Sequence, residues 1–318
     1  MTTTSISKNK KIVLTGGGTA GHVYPALAVG EELKQSYEIH YIGSSGMEKN
    51  IVQKEQNITY HEIDAVKLER KLTLKNLLIP IKLFSSIKSA KKILKEVQPS
   101  VVFSKGGFVA LPVVVAAKKL KIPVVSHESD LSMGLANKII LHYCDFMCCA
   151  FEETGKGNDK IIFTGQPIRK SVLNGNKYNL PFLPKIDKSK PNLLIVGGSS
   201  GAKFINEKTE ENLEDLLKFF NVIHITGKGK NNEKTGRING YIQVEYADNM
   251  GDYLALSDYV LSRAGSGAIN EFLALNKPMF LIPLSKSCSR GDQIENAKLF
   301  KNLGYCEMLE EEEYTKAL

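Results

Sequence analysis

The feature that most constrains the fold is an order of elements that occurs twice: an apolar strand, a glycine-rich turn and then a helix. The first copy opens with the strand Lys11–Thr15 and the second with the strand Asn192–Val196. The strand-like runs that follow are continuously apolar, which indicates strands buried on both faces of a parallel sheet. Such strands alternating with helices favour a doubly wound α/β fold. We therefore predict two Rossmann-like α/β domains.

A segment rich in Asn, Pro and Lys separates the two copies. Residues 174–191 have no helical period and are typical of an irregular connection. The length of 318 residues also fits two domains, at roughly 150 residues each. We expect an N-terminal domain over residues 1–173 and a C-terminal domain over residues 174–318, with parallel sheets facing a common cleft.

Composition and charge exclude several classes of protein. No apolar run approaches the roughly 20 residues of a transmembrane helix, and the polar N-terminus is unlike a secretory signal, so we expect a cytoplasmic protein. The five cysteines form no C-x-x-C pair, which argues against a disulfide framework and against zinc. The net charge of +8 suits nucleic acid, an anionic membrane or a phosphorylated substrate. Because no nucleic-acid-binding motif is present, we expect no nucleic-acid partner.

Three glycine-rich turns follow predicted strands, at residues 16–22, 197–202 and 263–267. Glycines let the backbone approach a phosphate, and the following helix N-terminus offers unpaired N–H groups. The first turn satisfies G-x-G-x-x-G, but the second strand ends in Gly-Ser-Ser-Gly without the acidic residue of a dinucleotide site, which argues against NAD. A turn without a ligand is the alternative for any one of them. Together the three turns predict ligands in the cleft.

Helices are expected from about residue 25 to 35 after the first turn and up to about residue 220 after the second.

His22, beside the first turn, could be a general base or a packed, helix-capping histidine. His127 and Glu128 end another strand and should face the same cleft. Glu271, one turn into the helix after the third turn, could accept hydrogen bonds from ribose hydroxyls. The chain has no Asp-x-Asp pair, so metal-bridged glycosyl transfer is not predicted.

Residues 72–97 combine apolar and basic side chains. The apolar members include Leu77, Leu78, Ile79, Ile81, Leu83 and Phe84, and the basic members include Lys75, Lys82, Lys88, Lys91 and Lys92. Part of this stretch is predicted to be a helix packed on the core. A basic rim around exposed apolar side chains would also suit contact with an anionic membrane surface. The residues alone leave both interpretations open.

Eight ordered motifs, between about residue 11 and about residue 309, resemble those of the MurG family of peptidoglycan glycosyltransferases. They are GGGTAGHVYPALA (16–28), FSKGGFVALPVVVAA (103–117), HESDLSMGLANKI (127–139), GQPIR (165–169), GGSSGAKFIN (197–206), SRAGSGAINE (262–271), KPMFLIP (277–283) and DQIENA (292–297).

The resemblance implies the two-domain GT-B fold, with the acceptor in the N-terminal domain and the UDP-sugar in the C-terminal domain. It implies an inverting transfer of N-acetylglucosamine from UDP-N-acetylglucosamine to the 4-hydroxyl of the lipid-linked muramoyl-pentapeptide, converting lipid I to lipid II. It further implies no cofactor or metal, an undecaprenyl-linked acceptor, and a peripheral location on the cytoplasmic face of the cell membrane, against its anionic surface.

The resemblance also assigns roles by position within the motifs. His22 matches the proposed general base. The positions that match the acceptor and diphosphate loops are Thr19, Ala20, Gly21, Lys105, Gly106, Gly107 and Asp130. The positions that match the donor site are Arg169, Ser199, Ala247, Ser266, Gly267, Ala268, Ile269, Asn270, Glu271 and Gln293. Among them, Glu271 is expected to bind the ribose, Gln293 the transferred sugar, and the backbone at Ala247 the uracil.

The chain departs from the family pattern at several positions. Ala20 stands where the family usually has glycine, Ser129-Asp130 replaces Gln-Asn, and Asp292 replaces the first residue of a Gln-Gln pair. Family members also usually continue for a few more helices, which leaves two interpretations open: looser domain closure, or a shortened paralogue. Two alternatives therefore stay open: a related GT-B transferase with a different lipid acceptor, and a non-catalytic UDP-sugar-binding paralogue. The catalytic acids of a UDP-sugar epimerase are not evident at matching positions.

Overall fold

The computed structural model describes residues 10–65, 79–198 and 200–314. The chain divides into two compact units between Arg169 and Lys170. The first unit is built on a seven-stranded parallel sheet in the order β3-β2-β1-β4-β5-β6-β7. Its strands are β1 (Lys11–Thr15), β2 (Glu38–Gly43), β3 (Ile58–Glu62), β4 (Val101–Ser104), β5 (Val124–Glu128), β6 (Phe146–Cys149) and β7 (Ile161–Phe163).

The helices of the first unit cover both faces of this sheet. They are α1 (Ala20–Leu33), α2 (Met47–Val52), α3 (Ile79–Val97), α4 (Ala110–Lys119), α5 (Leu135–Tyr143) and α6 (Glu152–Gly155). Alternate residues of β1 supply the two core layers: Val13 packs among residues of α3 and α4, whereas Ile12 and Leu14 pack among residues of α1 and α2. Burial of both faces explains the continuously apolar strands.

Helix α1 begins at Ala20, earlier than the residue near 25 that the sequence predicts. Pro25 therefore lies inside the helix and is buried. Because proline lacks an N–H, the helix forgoes only the bond that residue 25 would make to the carbonyl of Gly21. The consequence is that His22 belongs to the first turn of the helix and not to the loop before it.

The second unit repeats the arrangement with a six-stranded parallel sheet in the order β10-β9-β8-β11-β12-β13. Its strands are β8 (Asn192–Val196), β9 (Asn221–Ile225), β10 (Tyr241–Val244), β11 (Tyr259–Ser262), β12 (Met279–Leu281) and β13 (Cys306–Met308). Its helices are α7 (Lys170–Leu173), α8 (Lys203–Glu211), α9 (Leu213–Phe219), α10 (Met250–Leu256), α11 (Ser266–Ala274) and α12 (Asp292–Asn302). Leu193 and Ile195 of β8 pack against Ile205 of α8 and Leu213 of α9.

Two helices, α8 and α9, replace the single helix expected up to about residue 220. Asn212 lies between them, and its side-chain amide donates to the carbonyl of Lys208 over 2.7 Å. Asparagine side chains compete in this way with the regular helical bonds. The connection predicted over residues 174–191 contains only two 3₁₀ turns, Lys177–Asn179 and Leu183–Lys185.

Both sheets have the same switch in strand order. The strands before and after this switch are added in opposite directions across the sheet, and the switch lies between β1 and β4 in the first sheet and between β8 and β11 in the second. In doubly wound sheets, ligands bind beyond the carboxyl ends of the strands at this switch point. The glycine turns at 16–22, 197–202 and 263–267 each follow one of these four strands, and the Lys105-Gly106-Gly107 turn follows the remaining one.

Candidate active site

The first glycine loop leads from β1 into α1 and lies against the turn after β4. A Cβ on Gly16 would be only 3.1 Å from Cβ of Lys105, and Gly18 has φ +83°, a conformation that favours glycine. The hydroxyl of Tyr41 donates to the carbonyl of Gly16 over 2.7 Å. The glycines therefore allow a close approach of backbone to neighbouring groups that a side chain would prevent.

A buried carboxylate, that of Glu48 in α2, is hydrogen-bonded to this loop. Its Oε2 accepts from the N–H of Gly18 over 3.3 Å, and its Oε1 accepts from the N–H of Ser44 over 3.0 Å and from the Ser44 hydroxyl. A Cβ on Gly17 would lie 2.8 Å from the carboxyl group. Glu48 is not among the site residues predicted from the sequence. The signal available was the Gly-Ser-Ser-Gly turn after β2, since small residues there leave room for the carboxylate.

His22 is fixed by the loop that precedes it. Its Nδ1 lies 3.0 Å from the carbonyl oxygen of Gly17 and 3.1 Å from the hydroxyl of Thr19. Because a carbonyl can only accept, the proton belongs on Nδ1, and Nε2 then carries the lone pair. A Cβ on Gly107 would come within 3.4 Å of the ring. The turn after β4 thus packs directly on the imidazole, which has the tautomer that a base acting through Nε2 requires.

Lys105 lies under the site and not on its surface, with a relative exposure of 1%. Its ammonium donates to Nδ1 of His127 over 2.8 Å and to the hydroxyl of Ser129. Burial lowers the pKa of Lys105 to about 8, although the nearby carboxylates of Glu128 and Asp130 oppose this shift. Lys105 therefore contributes positive potential beneath the loops while orienting His127.

His127 is a buried, neutral imidazole that connects two loops. Its Nδ1 accepts from Lys105, so its Nε2–H donates to the carbonyl of Gly165 over 2.8 Å. Burial, together with the positive charge of Lys105, lowers the pKa of His127 to about 3. Ser129 continues the connection, since its hydroxyl donates to the side-chain oxygen of Gln166 over 3.0 Å. The end of β5 is thereby tied to the segment that leads to Arg169.

Glu128 organises the loop after β5. One carboxylate oxygen accepts from the N–H groups of Ser129 and Asp130, at 2.8 and 3.0 Å, and the other accepts from Gly134 and Asn137, both at 3.0 Å. Four donors to one carboxylate fix the loop that carries Asp130. The Asn137 amide also fills the space where a Cβ on Gly106 would be, at 2.3 Å. Asp130 is half-buried and acts electrostatically on Lys105.

Arg169, the last residue of the first unit, stacks on an aromatic ring of α1. Its guanidinium carbon lies 4.0 Å from the centre of the Tyr24 ring, a cation–π geometry. Tyr24 is two residues beyond His22, so the stacking brings a positive charge to the helix that carries the candidate base. Thr19 is the N-cap of this helix, and Ala20 and Gly21 are its first two residues.

In the second unit, the turn after β8 is shaped by glycines that pack on the turn after β9. A Cβ on Gly201, which has φ +69°, would lie 2.0 Å from the carbonyl oxygen of Thr226, and a Cβ on Gly197 would lie 2.4 Å from the N–H of Ala202. Lys230 donates to the carbonyl of Ser200 over 2.8 Å. Ser199, predicted to contact the donor, lies outside the described residues.

The third glycine turn leads from β11 into α11. Gly265 precedes the helix, and Ser266 and Ile269 are buried within its first turns. Asn270 donates from its amide to the carbonyl of Ser266 over 2.9 Å. The remaining predicted donor residues on this helix, Gly267, Ala268 and Glu271, are half-buried, and Ala247 after β10 is buried. The helix start therefore presents backbone N–H groups and, one turn later, a carboxylate.

A buried arginine joins this turn to the segment after β12. Arg263 donates to the carbonyls of Ile282 and Pro283, at 3.1 and 3.2 Å, and forms an ion pair with Glu311. Gln293, predicted to contact the transferred sugar, accepts from the N–H of Leu284 over 3.0 Å. Arg263 and Gln293 thus both fix the loop between β12 and α12. This role of Arg263 was not predicted from the sequence.

The structure therefore gathers the predicted residues into two groups, one in each unit. Thr19 to His22 and the turn at 105–107 lie at the switch point of the first sheet, and Asp130 follows the neighbouring strand β5. The residues of α11 lie at the switch point of the second sheet. Within residues 10–65, 79–198 and 200–314, no cluster of three or more His, Cys, Asp or Glu could hold a metal ion. The absence of a cofactor stays a prediction.

Helix α3 carries the described part of the predicted membrane-facing stretch, and residues 72–78 of that stretch lie outside the described residues. Leu94 is buried in the core, whereas Ile81 and Phe84 are 68% and 67% exposed. Lys82 and Lys88 on the same helix are also exposed. The end of the helix that begins at Ile79 thus carries an exposed apolar and basic surface, and the other end packs on the sheet. In the described part of the chain, no helix has the length and apolar character needed to cross a membrane.

Two doubly wound parallel units, each with glycine turns at its switch point, have the architecture of GT-B glycosyltransferases. The family described as "Glycosyltransferase family 28 N-terminal domain" matches residues 12–148, and its C-terminal counterpart matches residues 192–318. The chain belongs to glycosyltransferase family 28 and, within it, to the MurG family. The fold and family predicted from the sequence motifs are confirmed.

Relatives of similar length carry one name. The chain is 52% identical over 309 residues to the UDP-N-acetylglucosamine--N-acetylmuramyl-(pentapeptide) pyrophosphoryl-undecaprenol N-acetylglucosamine transferase of Clostridium botulinum (strain Alaska E43 / Type E3), covering 95% of this chain and 86% of the relative. It is 48% identical over 314 residues to the protein of that name from Clostridium tetani, covering 97% and 87%. The crystal structure of Acinetobacter baumannii MurG superposes with a TM-score of 0.75 at 28% identity, covering 96% of this chain and 87% of that one.

Proposed function

We propose that this protein transfers N-acetylglucosamine from UDP-N-acetylglucosamine to the 4-hydroxyl of the lipid-linked muramoyl-pentapeptide, with inversion at the anomeric carbon. The observation that carries this function is the 52% identity, over 95% of the chain, to a relative named for that transfer. The site residues add chemical support, because each unit provides groups suited to one of the two substrates.

The donor UDP-sugar belongs to the second unit. The N–H groups at the start of α11 suit its diphosphate, since a helix N-terminus favours negative charge. Glu271, one turn further on, accepts hydrogen bonds from the ribose hydroxyls. Gln293, whose amide is oriented by the N–H of Leu284, binds hydroxyls of the sugar. The buried Arg263 connects the turn after β11 to the loop after β12 by donating to the carbonyls of Ile282 and Pro283.

The acceptor belongs to the first unit. The N–H groups of the first glycine loop, with the ammonium of Lys105 beneath it, provide a positive potential for the acceptor diphosphate. His22, with its proton on Nδ1, takes the proton of the attacking hydroxyl at Nε2. The hydroxyl oxygen then forms the new bond to the anomeric carbon while the bond to UDP breaks, which inverts the configuration.

The departing UDP develops negative charge, which the protein's own groups can stabilise. Arg169 supplies a guanidinium held on the Tyr24 ring, and the start of α11 supplies N–H groups. Each step of the proposed mechanism uses residues of the protein, and none uses a cofactor.

A transfer assay tests this function. Radiolabelled N-acetylglucosamine should pass from UDP-N-acetylglucosamine to a lipid I analogue, and His22→Ala should lower kcat by about 100-fold or more with little change in the affinity for the donor. Binding of the donor without transfer to lipid I, but with transfer to another lipid acceptor, would identify a related GT-B transferase. Donor binding without any transfer would identify a non-catalytic paralogue.

We further propose that the protein works at the cytoplasmic face of the cell membrane as a peripheral protein, bound through α3 to an anionic surface. Exposed Ile81 and Phe84 supply apolar contact, and Lys82 and Lys88 supply attraction to anionic lipid. An acceptor with an undecaprenyl chain requires such a position.

Vesicle co-sedimentation tests this location. The double variant Ile81→Ser/Phe84→Ser should lose binding to vesicles containing phosphatidylglycerol, and neutral vesicles should bind the wild type weakly. Phe219→Ser in the second unit is the matched control, because Phe219 is 66% exposed. Equal binding by the wild type and the double variant would refute the role of α3.

A further inference from the structure

The peptide between Gly17 and Gly18 is hydrogen-bonded at both of its polar atoms. Its N–H, on Gly18, donates to Oε2 of Glu48 over 3.3 Å. Its carbonyl, on Gly17, accepts from Nδ1 of His22 over 3.0 Å. One planar peptide unit therefore connects a buried carboxylate to the imidazole of the candidate base.

The surroundings allow this connection only because small residues lie at particular positions. Glu48 is 1% exposed, and its second oxygen is fixed by the N–H and hydroxyl of Ser44. A Cβ on Gly17 would lie 2.8 Å from the Glu48 carboxyl, and a Cβ on Gly107 would lie 2.7 Å from the Gly17 carbonyl oxygen. Glycine at 17 thus admits the carboxylate, and glycine at 107 leaves room for the carbonyl and the ring.

The connection has a defined electrostatic effect. A carboxylate that accepts from an N–H polarises the peptide, which makes the carbonyl at its other end a stronger acceptor. The stronger acceptor keeps the proton of His22 on Nδ1 and stabilises the imidazolium that forms when Nε2 takes a proton. We propose that Glu48 is a positioning residue for His22, acting through the Gly17–Gly18 peptide to fix its tautomer and raise its basicity. This inference rests on the proposed role of His22 as general base.

Other polar groups around the loop do not replace Glu48. The hydroxyls of Tyr41 and Tyr60 are neutral, because burial and the nearby Glu48 carboxylate raise the pKa values of both. Lys105 and Arg169 are cations, which would lower the basicity of His22. The Thr19 hydroxyl contacts Nδ1 but carries no charge. Of these groups, Glu48 is the anion whose hydrogen bond leads to the ring.

The direct test is an NMR titration of the His22 ring in the full chain, with the resonance assigned by its loss in His22→Ala. The wild type should have the proton of the neutral ring on Nδ1. Glu48→Gln keeps the volume but removes the charge, so the pKa of His22 should fall by roughly half a unit or more. The matched control is Asp145→Asn. Asp145 accepts from the N–H of Val124 over 2.8 Å at the amino end of β5, whereas the first glycine loop follows the carboxyl end of β1.

Transfer kinetics provide the second measurement. With lipid I analogue, Glu48→Gln should lower kcat by about tenfold with an unchanged KM for the donor. The acidic limb of its kcat/KM profile should move to lower pH. Glu48→Asp retains the charge at a greater distance, so it should lower kcat and move the acidic limb of the profile in the same directions but by less. This variant takes the place of Glu48→Gln if Glu48→Gln does not fold.

The two measurements separate two kinds of failure. An unchanged titration of His22 in Glu48→Gln, or an equal shift in Asp145→Asn, would overturn the role of Glu48 even if transfer proceeds. Absence of transfer by the wild type would instead refute the proposed function. The NMR titration would still decide whether Glu48 sets the tautomer and pKa of the ring.

Discussion

Replacing Lys105 by methionine should change how the stability of the protein depends on pH. Methionine keeps the length of the side chain and removes its charge. Burial lowers the pKa of Lys105 from 10.5 to about 8. At roughly 1.4 kcal/mol for each pKa unit, burial of the ammonium therefore costs the folded wild type about 3 kcal/mol below pH 8.

The sign of the effect follows from proton binding. The unfolded chain keeps a proton on Lys105 up to about pH 10.5, whereas the folded chain releases it near pH 8. The unfolded state binds more protons in that window, so the free energy of unfolding rises with pH there. Between pH 7 and pH 9.5 the wild type should gain about 2 kcal/mol from this group, and Lys105→Met should gain none.

Urea unfolding at several pH values measures the difference between the two proteins. The variant also leaves Nδ1 of His127 and the Ser129 hydroxyl without the ammonium donor, at a cost of about 1–3 kcal/mol each. That cost is nearly constant between pH 7 and pH 9.5. It therefore lowers the free energy of unfolding of Lys105→Met by the same amount at each pH and does not change how that free energy depends on pH. Parallel curves over this range would refute a buried Lys105 ammonium with a lowered pKa.

Three further outcomes are expected. Leu194→Ala in β8, where Leu194 is fully buried, should cost about 2–5 kcal/mol of unfolding free energy in a denaturant titration, and a loss below 1 kcal/mol would contradict its place in the core. Burial lowers the pKa of His224 to about 4, so the wild type should lose about 2–3 kcal/mol as the pH falls from 6.5 to 4. His224→Gln should lose less in the same urea series. Glu271→Gln should raise the KM for UDP-N-acetylglucosamine about tenfold without changing Tm. For a donor that lacks the ribose hydroxyls, the KM values of the wild type and Glu271→Gln should differ little.

The fold could be predicted because its signals are local. Strands such as Lys11–Thr15 and Asn192–Val196 contain an uninterrupted apolar run, and each is followed at once by glycines. Burial on both faces leaves that pattern in the sequence without help from distant residues. The start of α1 was wrong by about five residues, because Pro25 resembles a helix start yet lies inside the helix.

The candidate site could be predicted only in part, because several of its groups act across long sequence separations. His22 and Glu271 stand beside glycine turns, which the motifs reveal. Glu48 reaches the first loop from a six-residue helix 30 positions away from its Gly18 partner. Lys105 meets His127 only after two strands pair. The local patterns, Gly-Ser-Ser-Gly before Glu48 and Gly-Gly after Lys105, do not reveal which distant groups these two residues contact.

The distribution of cysteines has a practical consequence for spectroscopy. Cys144, Cys149 and Cys306 are buried, Cys148 is half-buried, and Cys288 is exposed. Burial raises the pKa values of the first four thiols, which slows their alkylation at neutral pH. Maleimide dyes should therefore label Cys288 selectively in the unmodified protein. Since Cys288 lies in the loop between β12 and α12, the dye would report, by fluorescence, on the backbone that orients Gln293.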